Sequence, residues 1–139
     1  MHKFSLLLFL GAGVFTSILA AQEIKRVSVQ PTPITSGKAM FTEYCAVCHG
    51  PGGQGNGPAA DALKKRPADL TQLSRKNGGV FPEIHVIRFI KGDDVVAAHG
   101  TRDMPIWGTV LGSLDPNVPA AVSLRVANLE NYIKTLQAH

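Results

Sequence analysis

The residues best suited to chemistry are Cys45-Ala46-Val47-Cys48-His49. Two thiols stand three positions apart, and an imidazole follows the second at once. This Cys-x-x-Cys-His run is the covalent attachment signature of haem c. Each thiol can add across one porphyrin vinyl group, and helical spacing sets the thiols at the separation of the two vinyls. The adjacent His49 then lies under the iron and can bind it through a neutral imidazole nitrogen. Three other readings use the same residues. A thioredoxin-like pair needs a βαβ unit around it, whereas the segment before Cys45 reads as helical. A zinc site needs further close ligands, but His85, His99 and His139 are scattered. A disulfide between Cys45 and Cys48 would close a very small, strained loop. One covalent haem with its iron is the expected cofactor.

The opposite face of that iron needs a neighbour. The methionines are Met1, Met40 and Met104. Met1 sits in an apolar leader, and Met40 shares a predicted helix with the attachment site, so neither reaches the far face. Met104 follows His49 at a distance that lets the chain pass around the porphyrin. Pro105 pushes it toward extended backbone, which suits a thioether held out from a loop. The competing reading of a lone methionine is core filling. His85 and His99 are rivals for the same place.

These residues need elements to hold them. A first helix is predicted from Ser36 to Cys48, with Thr35 or Ser36 as N-cap. Its Gly37 and Phe41 share a face, where Gly37 allows a close helix approach. The partner is predicted over 119–137, where Val122, Val126, Leu129, Ile133 and Leu136 recur at steps of three and four and Tyr132 faces Gly37 and Phe41. Another helix is expected from Pro82 to Lys91, ended by Gly92. A short one is expected near Ala59 to Lys64. No convincing pair of strands is present; Val95-Val96-Ala97-Ala98 is the best extended candidate. The expected fold class is all-α, a small helical domain with long loops wrapped around one haem.

Residues 1–21 have a basic start, an apolar run from Phe4 to Leu19 and small residues at Ala20-Ala21, the layout of a secretory signal peptide. An uncut leader could serve as an anchor, since Phe4 to Ala21 is 18 residues, just within the lower range for a span. Residues 22–33 carry Pro31 and Pro33 and no helical period, and read as a flexible tail; 34–139 is one domain. The net charge of +4 becomes +3 when Lys3 leaves with the leader. Lys64, Lys65, Arg66, Arg75 and Lys76 form the densest basic stretch. It reads as a solvated face, or as a docking edge for an acidic partner or a counter-charge to haem propionates. Mild charge without aromatic-basic interleaving excludes nucleic acid as the expected partner.

Cys45-Ala46-Val47-Cys48-His49-Gly50, the glycine-rich loop with Gly57-Pro58, Met104-Pro105-Ile106-Trp107-Gly108 and a terminal helix carrying Tyr132 occur in that order. Together, over about residues 35–137, they resemble a class I monohaem cytochrome c of the bacterial periplasmic type. The resemblance implies His49/Met104 ligation and crossing terminal helices. It also implies that the Pro58 carbonyl holds the far nitrogen of His49, and that Trp107 lies near a propionate. Arg66-Pro67-Ala68-Asp69-Leu70 is more loosely similar to a segment beside a propionate, and 108–118 reads as a long loop that shapes a partner surface. The implied function is one-electron transport in the periplasm by transient docking with a donor and an acceptor, not enzyme catalysis. Membrane association would come only from an uncut leader or a membrane complex. The alternatives are a subunit of a respiratory dehydrogenase or oxidase, and a haem sensor or peroxidase-like enzyme with an open distal site.

Overall fold

The computed structural model describes residues 31–93 and 104–138, and among these the regular structure is helical, with no strand. Helix α1 runs unbroken over 37–49 in three windings: α-helical Gly37–Met40, π-helical Phe41–Cys45 and α-helical Ala46–His49. Ser36 caps it, its hydroxyl oxygen accepting from the Ala39 N–H at 3.1 Å. A one-turn helix, α2, covers Leu73–Lys76; α3 covers Glu83–Lys91, α4 Trp107–Ser113 and α5 Ala121–Thr135. Two 3-10 turns, Ala60–Ala62 and Leu70–Gln72, punctuate the loops.

The core lies where α1 crosses α5, with α3 and α4 packed beside them. Met40 and Phe41 from α1, Leu129 and Ile133 from α5, Val86 and Ile90 from α3 and Leu111 from α4 are buried together. The crossing leaves no room for a side chain at Gly37. A Cβ added to Gly37 would lie 1.9 Å from the Asn128 carbonyl oxygen. Phe41 and Tyr132 meet with ring centroids 5.3 Å apart. The predicted Gly37/Phe41/Tyr132 contact is therefore present, and the predicted helices at 36–48, 82–91 and 119–137 all form within a few residues of their expected ends. Gly92 closes α3 in the left-handed conformation.

Two elements depart from expectation. The stretch read as a loop from Gly108 to Val118 begins as α4, and α2 with its leading 3-10 turn has no clear signal in the sequence. Thr32, placed by the sequence in a tail, is tied to the core through Tyr44 and Arg125. The extended candidate Val95–Ala98, together with His99, His139 and the leader, lies outside the described residues.

Candidate functional site

The C-terminal turn of α1 carries Cys45, Cys48 and His49, and a glycine-rich loop folds back to cap it. The last carbonyls of a helix lack intrahelical partners. Here Gly50 N–H donates to Ala46, Ala59 to Val47, Gly57 to Cys48 and Gly55 to His49, at 2.7–3.0 Å. Gly57 makes this possible: a Cβ there would stand 2.5 Å from both the Ala46 and the Val47 carbonyl oxygens. The attachment turn is thus fixed by backbone hydrogen bonds.

The Nδ1 of His49 lies 3.0 Å from the Ala68 carbonyl oxygen. A carbonyl only accepts, so Nδ1 carries the proton and Nε2 keeps its lone pair for a metal. Burial pushes the imidazole below the ordinary histidine range, outweighing the upward pull of the Ala68 bond, so the ring is neutral at pH 7. The expected Pro58 partner is replaced by Ala68. Pro58 is exposed, because the glycine loop turns its N–H groups toward α1. The 66–70 segment is the one drawn across, by Leu70 N–H donating to the Gly53 carbonyl at 2.7 Å. The end of α5 secures that segment: Gln137 Nε2 donates to the Leu70 carbonyl at 2.8 Å and Ser74 N–H donates to Gln137 Oε1 at 2.9 Å. Asp69 Oδ1 accepts from the Thr71 N–H and hydroxyl.

No disulfide joins Cys45 and Cys48. Burial, then the neighbouring Cys48, pushes the Cys45 thiol up to about 12. A buried, neutral sulfur of this kind suits an apolar thioether. Among the described residues no three His, Cys, Asp or Glu side chains gather as a metal site, and the βαβ unit that a thioredoxin motif needs is absent. The donor set therefore fits haem c: two thiols on adjacent helical turns, an imidazole with its second nitrogen committed, and a loop that only glycine permits at Gly57. Met104 is half-buried against the hydrophobic core. His85 is exposed on α3, its ring 6.0 Å from that of Phe89.

One cluster had no sequence signal. Arg125, on α5, is 2% exposed. Its Nε and Nη2 donate to Asp115 Oδ2 at 2.9 and 2.7 Å, and its Nη1 donates to the Thr32 carbonyl at 2.8 Å. Thr32 donates in turn to the Tyr44 phenol oxygen, and the Tyr44 ring stacks on Trp107. An arginine inside an apolar stripe reads as an ordinary polar residue until its partners are known.

Residues 32–116 match the family model described as cytochrome c oxidase, cbb3-type, subunit III. The chain belongs to this cytochrome c family. It is a c-type cytochrome of the monohaem class I kind, whose covalent haem c with its iron serves electron transfer, and Cys45 and Cys48 fit the attachment motif. No curated protein and no solved structure matches the chain.

Proposed function

We propose that this cytochrome is a periplasmic one-electron carrier, with its haem joined to Cys45 and Cys48 and its iron held by His49 and Met104. The observation that supports this most is the His49–Ala68 hydrogen bond. It leaves Nε2 as the metal-binding nitrogen, orients the ring and raises its basicity. Haem c supplies reversible one-electron chemistry at its iron. The chain tunes and shields that chemistry. Burial keeps His49 neutral, and the soft Met104 thioether favours the ferrous form and raises the potential. Two protein ligands leave no position for substrate, so the protein's task is to hold the group and present one edge for brief docking. Export rests on the leader-like residues 1–21; no helix among the described residues is long and apolar enough to cross a membrane.

A second reading is a subunit held in an oxidase or dehydrogenase complex. The family's description favours it, as do the exposed apolar residues Val80 and Ile84, 67% and 70% accessible around the start of α3. Stable co-purification with membrane subunits would establish that reading. The sensor or peroxidase-like reading requires Met104 to be off the iron.

The optical spectrum of the exported protein tests the ligand set. A weak near-infrared iron–thioether band in the ferric form, with a ferrous form inert to carbon monoxide, is the expected result. Met104→Ala should abolish the band, lower the potential and open the iron to carbon monoxide. An unchanged spectrum and potential would overturn the assignment of Met104, and ready carbon monoxide binding by the wild type would bring the open-site reading forward.

A further inference from the structure

We propose that Arg125 is a positioning residue for Met104, acting through both ends of α4. The inference rests on the His49/Met104 ligand reading and deepens it. Helix α4 starts at Trp107, just after the Met104-Pro105-Ile106 run, and its C-terminal end leads directly to Asp115. Asp115 takes two hydrogen bonds from the Arg125 fork, at 2.9 and 2.7 Å. From the same guanidinium, Nη1 reaches the Thr32 carbonyl and hydroxyl at 2.8 and 3.2 Å. The Thr32 N–H and hydroxyl both meet the Tyr44 phenol oxygen at 3.2 Å. The Tyr44 ring stacks on Trp107 with centroids 5.7 Å apart and planes 29° apart. Tyr44 immediately precedes Cys45, so the chain of contacts also begins at the attachment turn.

One buried guanidinium thus grips α4 beyond its last residue and, through two intermediates, at its first. A buried ion pair is weak evidence for stability, because apolar residues of similar volume often do as well. What the planar fork adds is fixed direction. The direction it fixes here is that of the helix that carries the methionine loop, relative to the turn that carries the cysteines and His49. Loosening either grip enlarges the population in which the Met104 sulfur is away from the iron, and an added small ligand reads that population.

The test uses the full-length, haem-loaded ferric protein titrated with imidazole, following loss of the near-infrared band. Tyr44→Phe removes one hydroxyl and keeps the ring. It should retain haem, helix content and the band, yet exchange thioether for imidazole at about ten-fold lower concentration, the net worth of the two long hydrogen bonds from Thr32 that it loses. Arg125→Gln and Asp115→Asn should shift the titration at least as far. Glu83→Gln, which breaks the exposed ion pair to Lys134, should not shift it. If the wild type shows the band and Tyr44→Phe titrates like it, the proposal falls while Met104 ligation stands. It falls on that result even if Arg125→Gln does not fold, or folds with lower thermal stability alone. An equal shift in Glu83→Gln would reduce the effect to general loosening and overturn the proposal. A wild type without the band overturns the Met104 ligand reading and this inference together.

Discussion

At the residue scale, backbone geometry at a few positions sets the chemistry. Gly57 presses the loop on α1, and a Cβ there has no room between two carbonyl oxygens. Gly57→Ala should cost about 2 kcal/mol in urea unfolding of the haem-bound protein and lower the yield of loaded protein. Glu130 is the converse case, a carboxylate 6% exposed whose Oε1 has no partner. Burial raises it above its ordinary 4.5, Glu83 adds to the rise, and Lys134 opposes it. A raised carboxyl keeps its proton in the fold after the unfolded chain has released it. Its contribution is therefore favourable below pH 4.5 and is lost as pH climbs through the folded value. Glu130→Gln should be more stable than wild type at pH 7, by about 1 kcal/mol, and the gap should close when melting is repeated near pH 4. The attachment motif was legible in the sequence because its chemistry lies in side chains at fixed spacing. The Ala68 partner was not, because a backbone carbonyl leaves no mark on residue type.

At the element scale, the α1–α5 crossing was legible for a related reason. Gly37, Phe41 and the 122–136 stripe state their shared face in residue spacing. Gly37→Ala should therefore cost about 3 kcal/mol, since the new Cβ must move the Asn128 carbonyl; thermal melting of the holoprotein checks it. Helix α4 was missed because Trp-Gly-Thr-Val-Leu-Gly-Ser holds two glycines and two β-branched residues, a poor helix former. Tertiary context overrides that weakness: Gly108 brings α4 against the Lys91 carbonyl, where a side chain would not fit, and Leu111 is buried in the core. Arg125 was opaque because its partners, Thr32 and Asp115, come from segments whose position only the folded chain defines.

At the scale of the molecule, the helices enclose a modest core, and a haem would complete it. Changing both Cys45 and Cys48 to serine should abolish covalent haem and reduce the far-ultraviolet helical signal of the purified protein. Lys64, Lys65, Arg66, Arg75 and Lys76 are all exposed. Electron exchange with an acidic partner protein should therefore slow about ten-fold from low to physiological salt, measured by stopped flow. The wide winding at Phe41–Cys45, where the Ala46 N–H reaches back to the Phe41 carbonyl, bears on how such a chain tolerates insertions. It turns the attachment face out of phase with the Gly37/Phe41 face by roughly a quarter turn. Removing one residue inside the winding would leave a regular rod of similar length, yet rotate Cys48 and His49 about the helix axis, away from their present heading. The spare residue works like a phase shifter in a drive shaft: it lets a single rod bear on the helical core at one end and on the haem at the other.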